Sequence, residues 1–261
     1  ERLQESLRPI SRCAMTTVVA PMGYGKTTAV EWYLAERAGA EAPYIVRISV
    51  YSSNLAIFWK SVQDAFARAG FAFLREYDCP TDGASGGLLI DDLCHALTGE
   101  KSCYIFIDDF HLLTDKRAPG FLCALAGRLP PNVHLILASR DLFLPAAELV
   151  RLGGKVYQIG TAQLRLNHTE LAVYTKRCGT ALSDEQIDTL LYYSEGWFSA
   201  VYLNLRMFSE HGVLPDPNSD ISSIFTAAMI DPLPEKQREF LAVMGLADEF
   251  TVEMAQFVMA D

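Results

Sequence analysis

The stretch Thr16-Thr17-Val18-Val19-Ala20-Pro21-Met22-Gly23-Tyr24-Gly25-Lys26-Thr27-Thr28 decides the fold. Thr16 to Ala20 reads as a short β-branched strand and Pro21 to Gly25 as a glycine-rich loop. From Lys26 to Ala38, Val30, Tyr33 and Leu34 recur at helical spacing, and Gly39 is expected to close that helix. Strand, glycine loop and helix in register are the context a phosphate-binding loop needs. Glycines let successive backbone N–H groups turn toward one anion, and the helix N-terminus adds its partial positive charge. On this reading Gly23, Tyr24, Gly25, Lys26, Thr27 and Thr28 hold the phosphates of a nucleotide. Lys26 reaches the β- and γ-phosphates, and the Thr27 hydroxyl ligates Mg²⁺. Ala20 stands where the usual pattern has its first glycine. The competing reading, a tight glycine turn capping an ordinary helix, loses ground because strand and helix flank the loop as the motif requires.

Working outward, Tyr44 to Val50 reads as a second strand, and Leu55, Phe58, Trp59, Val62 and Phe66 mark an amphipathic helix after it. Cys79 to Gly87, rich in Gly, Asp, Ser and Pro, reads as a loop. Cys103 to Asp108, Val133 to Ser139 and Lys155 to Ile159 are short and apolar, as strands buried on both faces of a parallel sheet should be. Alternation with helices predicts a doubly wound α/β domain over residues 1–160. Beyond it the strand pattern stops. Asn167 to Glu170 and Ser183 to Gln186 fit capping boxes, and a third helix runs from about Trp197 to Glu210 and ends at Gly212, which predicts a helical lid over 161–213. Leu214-Pro215-Asp216-Pro217-Asn218-Ser219 reads as a boundary. Glu235 to Met244 and Thr251 onward then begin a further helical unit over 220–261.

A Mg²⁺ ion beside Thr27 needs a hard oxygen ligand from the end of a neighbouring strand. Leu88-Leu89-Ile90-Asp91-Asp92 looks suitable in isolation, yet Leu89, Leu93, Ala96 and Leu97 continue it at helical spacing, which puts its carboxylates on a solvated helix face. Tyr104-Ile105-Phe106-Ile107-Asp108-Asp109 has the longer apolar run and another strand about 25 residues later. Asp108 is therefore assigned to the metal and Asp109 to positioning the attacking water. The strand ending Leu137-Ala138-Ser139-Arg140 delivers a guanidinium to the same rim, where it can sense a γ-phosphate. Glu195-Gly196-Trp197 is a glycine-aromatic break between two helices, and on chemistry alone it reads as core packing.

The 261 residues are half apolar and 21% charged, which excludes a disordered chain and suits one to two domains. Lys and Arg total 22 against 32 Asp and Glu, a formal charge of −10, the wrong sign for gripping a nucleic acid backbone. No apolar stretch reaches bilayer length and the start lacks a signal-peptide layout, so a cytoplasmic protein without membrane contact is expected. Six cysteines without a CxxC pair suit free thiols in a reducing compartment. The absent initiator Met and an ending in apparent mid-helix at Asp261 suggest part of a longer chain.

Taken together, Gly23-Tyr24-Gly25-Lys26-Thr27-Thr28, Phe58-Trp59, Ile107-Asp108-Asp109-Phe110-His111, Leu129-Pro130-Pro131, Leu137-Ala138-Ser139-Arg140 and Glu195-Gly196-Trp197 resemble a family. The chain is similar to the nucleotide-binding core of the large ATP-binding, maltose-activator-like LuxR-type transcription regulators, among the signal-transduction ATPases with numerous domains. The tail Leu233-Pro234 with Arg238-Glu239-Phe240-Leu241 is similar to the start of that family's winged-helix module.

The resemblance implies an ATP- and ADP-binding switch with Mg²⁺ as cofactor and slow hydrolysis as its reset. It also implies an inducer and DNA bound through domains outside this chain, and self-association in the ATP state. It adds Gly196 and Trp197 to the residues expected at the nucleotide. Where the family usually has proline after Gly-Trp, this chain has Phe198, leaving open whether adenine meets the turn or stacks on that ring. From residue chemistry alone, a catalytic P-loop ATPase or small-molecule kinase and a nucleotide-free scaffold are the competing classes.

Overall fold

The computed structural model describes residues 2–212, 214, 226, 230–231, 233–245 and 251–259. They divide into two units, Glu1–Arg165 and Leu166–Asp261.

Among the described residues the first unit is built on five parallel strands: β1 (Met15–Val19), β2 (Tyr44–Ser49), β3 (Cys103–Asp108), β4 (Val133–Ser139) and β5 (Val156–Ile159). They lie in the order β2-β3-β4-β1-β5. β1 is therefore flanked by β4, with Val19 level with Ser139, and by β5, with Val18 level with Ile159. Helices α1 (Arg2–Leu7), α2 (Lys26–Glu41), α3 (Leu55–Arg68), α4 (Gly83–Leu97), α5 (Arg117–Arg128), α6 (Ala146–Leu152) and α7 (Thr161–Leu164) complete this unit.

Alternation along each strand feeds two cores. Ile105 and Ile107 of β3, with Leu135 and Leu137 of β4, face α3, α4 and α5, where Val62, Phe66, Leu89, Leu93, Leu122 and Leu125 are buried. Tyr104 and Phe106, with Ile136 and Ala138, face α2, which contributes Val30, Tyr33 and Leu34. Each such aliphatic side chain contributes about 1.5–3 kcal/mol when fully buried, so the period-2 pattern holds the sheet between two helical layers. This is the doubly wound P-loop NTPase architecture. Arg2, at the start of α1, donates from its guanidinium to the carbonyls of Ala162 and Arg165, tying the two ends of the unit together.

Two expectations need correction. α2 does not stop at Gly39 but runs to Glu41, with Ala42 in the left-handed region at φ 46°; the stop is set by Pro43, which has no N–H to continue the helix. Residues 83–87 are not loop but the first turns of α4. The Asp82 carboxylate accepts from the Ser85 N–H at 2.8 Å while the Asp82 N–H meets the Ser85 hydroxyl at 3.3 Å. That capping box overrides the glycine-rich composition.

The second unit starts with α8 (His168–Arg177), α9 (Asp184–Ser194) and α10 (Phe198–His211), packed on Leu171, Ile187, Leu190, Val201 and Leu205. The capping boxes at Asn167 and Ser183 are both formed, and Gly212 closes α10 at φ 72°. Further on lie α11 (Glu235–Met244) and α12 (Val252–Met259). The boundary read at 214–219 falls, from Pro215 on, outside the described residues. So does much of the segment assigned to a winged helix, and α11 and α12 alone do not show one.

Gly196 ends the turn between α9 and α10 at φ 72°, its carbonyl accepting from the Leu166 N–H at 2.9 Å. A Cβ there would lie 2.3 Å from the Leu166 carbonyl oxygen. Gly196→Ala is therefore expected to cost about 2 kcal/mol or more, combining left-handed strain with a backbone clash. Hydrogen exchange over α8–α10 checks this, and wild-type protection there would refute it.

Candidate functional site

The C-terminal ends of β1, β3 and β4 converge on one rim of the sheet. After β1 the chain turns through Gly23 at φ 81° and Gly25 at φ 72°, left-handed conformations that glycine adopts without strain, and Gly25 is the residue before α2. Lys26, the first helical residue, is buried, and its Nζ donates to the carbonyls of Ala20 at 2.7 Å and Pro21 at 3.0 Å. Burial, with Arg140 as a second cation nearby, pushes the Lys26 pKa below its ordinary value; Asp109, Asp108 and Asp141 oppose that shift.

β3 ends in Asp108, which is 9% exposed. Its carboxylate accepts a hydrogen bond from the Asp109 N–H at 2.9 Å and lies beside the Thr27 hydroxyl. Burial nonetheless dominates and raises the Asp108 pKa, with Thr27 and the Asp109 N–H only partly offsetting it. Asp109 follows at φ 54°, a left-handed conformation that Asp tolerates better than most residues. That twist turns the chain from β3 into the short 3-10 turn Phe110–Leu112.

Arg140 is set by β4. The Ala20 N–H donates to the Ser139 carbonyl at 3.3 Å, locking the phosphate loop to the strand end. The Ser139 hydroxyl closes a turn by donating to the Asp141 carbonyl at 2.9 Å.

A cavity of about 230 Å³ results, lined by Met22, Gly23, Gly25, Lys26, Thr27, Thr28, Asp109 and Arg140. Most residues singled out from the sequence in the first unit thus meet in one place. Asp108 sits behind it, on Thr27, and the partly buried Tyr24 packs against the core on the α2 face of the sheet. Gly196 and Trp197 belong to the second unit, in the turn before α10. Phe198 packs its ring on Tyr174 at 5.1 Å.

One residue of the site went unassigned. The His111 side chain is only 11% exposed, with Nδ1 4.0 Å from an Asp109 carboxylate oxygen, and neither ring nitrogen has a hydrogen-bond partner among the described residues. Burial and then the Arg140 charge hold its pKa below the ordinary histidine value, with Asp109 and Asp141 opposing that shift. The only sequence signal was its place in the Ile107-Asp108-Asp109-Phe110-His111 run.

The donor set fits Mg²⁺ held in the ordinary way for nucleotides. Among the described residues no cluster of three His, Cys, Asp or Glu forms a protein cage. A hydroxyl and a buried carboxylate in contact are instead the few hard oxygens a protein supplies when phosphates and water supply the rest.

No protein-family model matches the chain. The HTH-type transcriptional regulator MalT of Vibrio campbellii is 21% identical over 257 residues, covering 90% of this chain and 27% of its own length. MalT of Yersinia pestis is 23% identical over 205 residues, covering 78% of this chain and 23% of its own length. The chain spans about a quarter of the length of the curated relatives it matches. Among solved structures, Cdc6p of Pyrobaculum aerophilum superposes with a TM-score of 0.50 at 13% identity, over 99% of this chain and 77% of that one. A Walker-type ATPase of Pyrococcus abyssi gives a TM-score of 0.53 at 12% identity, over 94% and 72%. The chain is thus homologous to MalT-type LuxR-family regulators, and its fold is that of the P-loop ATPases.

Asp108 bears a charge that burial desolvates more than its neighbours compensate. Because its folded pKa is raised, its ionised form weakens the fold above that pKa and the penalty fades as pH falls through it. Asp108→Asn, which keeps an acceptor for Thr27, is expected to raise the thermal midpoint at pH 7.5 by about 2–4 °C for each kcal/mol relieved. The gain should shrink on acidification. Calorimetry checks both, and a midpoint lowered at pH 7.5 contradicts the assignment.

Proposed function

We propose that this chain is the ATP/ADP-binding switch module of a transcriptional regulator, with slow Mg²⁺-dependent ATP hydrolysis resetting its active state. The observation that carries the reading is the convergence of Lys26, Thr27, Asp109 and Arg140 on one cavity of about 230 Å³, with Asp108 behind Thr27. Homology to MalT-type regulators supports the regulatory half.

In this reading the N–H groups of Gly23 to Thr28 cradle the phosphates at the positive end of α2. Lys26 gives up its carbonyl partners Ala20 and Pro21 for phosphate oxygens, a stronger charge-assisted pairing. Thr27 and Asp108 hold Mg²⁺, which when bound neutralises charge on the phosphate oxygens. The Asp109 carboxylate orients the attacking water and accepts its proton. Arg140 meets the γ-phosphate, so an ATP-bound loop and an ADP-bound loop differ by one ion pair at the end of β4. Phe198, engaged with Tyr174, serves the packing of the helical lid.

Inducer and DNA belong to parts of the regulator outside this chain, and the ATP state favours self-association. The acidic balance of −10 suits such a module, because DNA contact falls elsewhere. No helix among the described residues is long and apolar enough to cross a membrane.

Lys26→Ala is expected to weaken binding of a fluorescent ADP by roughly 50-fold or more, the loss of about 2–3 kcal/mol of charge-assisted contact. Wild-type affinity in that variant would sink the reading. Arg140→Ala should weaken ATP relative to ADP by about tenfold, or about 1.4 kcal/mol, as read by competition titration. Turnover well under about 1 s⁻¹ is expected; turnover near the enzyme median of about 10 s⁻¹, or phosphoryl transfer to an added acceptor, would mark a metabolic enzyme instead.

A further inference from the structure

On the face of the sheet away from α2, a cavity of about 800 Å³ opens between α3, α4 and α5. The sheet lies beneath it, with Ile48, Ile105, Ile107 and Leu135 each no more than 3% exposed at its base. Phe58, Trp59 and Val62 of α3 form one wall, and Leu89 and Ile90 of α4 with Phe121 of α5 form the other. The Trp59 ring is fixed in place by its indole N–H, which donates to the Tyr77 carbonyl at 3.0 Å. Interiors otherwise pack to nearly crystalline density, with few voids larger than a water molecule. Water is a poor filler here, because an apolar lining offers it few of the partners it needs. The size is that of a pocket for a drug-sized organic molecule.

Charge at the rim narrows the ligand. Three guanidiniums and three carboxylates border the cavity: Arg117, Arg128 and Arg151 with Asp82, Asp115 and Glu148. Each guanidinium is already engaged, Arg117 with Asp115 at 2.7 Å, Arg151 with Glu148 at 2.6 Å and Arg128 with Asp91 at 3.1 Å. Asp82 is spent as the cap of α4. A carboxylate-headed ligand such as a fatty acid would find no uncommitted cation, and an amine no uncommitted acid.

The cavity also lies back to back with the nucleotide pocket. Phe110 borders it, packed at 4.6 Å on Phe143, whereas Asp109, the residue before, borders the nucleotide pocket. Ile107, on the other side of Asp108, lies in the cavity floor. We infer that this cavity binds a neutral, apolar small molecule, and that its occupant alters nucleotide affinity through Phe110 and the Asp108-Asp109 backbone. This goes beyond the nucleotide reading, because the site and its ligand are separate from it.

The uncharged fluorophore N-phenyl-1-naphthylamine is the probe. Titration into the 261-residue chain is expected to saturate at one probe per chain and to quench tryptophan emission by transfer from Trp59. Gly87→Leu and Gly120→Leu place side chains where a Cβ meets no atom within 4 Å, both on the cavity lining and within helices. Each variant is expected to keep its circular dichroism and weaken the probe at least tenfold. Saturating probe should shift the ADP dissociation constant at least threefold, and ADP should shift that of the probe equally. Signal without saturation, or binding unchanged in both folded variants, overturns the site. Tighter binding of the anionic 1-anilinonaphthalene-8-sulfonate overturns the neutral ligand class. An unmoved ADP affinity overturns the coupling. A chain that binds no nucleotide at all would fail the switch reading while the probe titration still decides this site.

Discussion

An ammonium buried at the N-terminus of a helix is the constraint around which the first unit is arranged. Lys26 sits at the positive end of α2, with the cation Arg140 nearby, and has given up most of its water. Such a charge has to be answered by oxygen. In the structure the oxygens are the carbonyls of Ala20 and Pro21, which face Lys26 only because Gly23 and Gly25 turn the loop through positive φ. The carboxylates of Asp108, Asp109 and Asp141 supply the remaining compensation from strand ends.

The strand order makes that compensation possible. With β4 inserted between β1 and β3, the phosphate loop is hydrogen-bonded to the end of β4, and β3 delivers its two aspartates from one strand further away. Thr27, at the start of α2, lies beside Asp108 across that gap. Parallel strands bring all their C-terminal ends to one rim, so a charged site here leaves both apolar faces free for packing. One face is filled by α1 and α2. The other, under α3–α5, is filled incompletely, and that is where the larger cavity lies.

Much of this was legible from local patterns. β3 and β4 begin and end where their apolar runs do, and both capping boxes of the second unit formed as read, because each rests on neighbours three residues apart. That Asp91 lies on a helix and Asp108 ends a strand was open to sequence reasoning because Leu89, Leu93 and Leu97 keep helical period, and α4 does present Asp91 to solvent. The misses were local contests between composition and a single residue. Glycine-rich 83–87 yielded to the Asp82 cap, and Gly39 was carried through a helix that only Pro43 could stop.

By itself the sequence determined the elements and the chemistry available to them, since strand period, helix period, capping boxes and a strand–glycine–helix motif are all properties of neighbouring residues. Tertiary structure alone decided which elements meet. The insertion of β4 beside β1, the burial that raises Asp108 and lowers Lys26, the buried imidazole of His111 and the cavity of about 800 Å³ depend on residues tens of positions apart. Desolvation and packing are set by everything surrounding a group, and no local pattern encodes that surrounding.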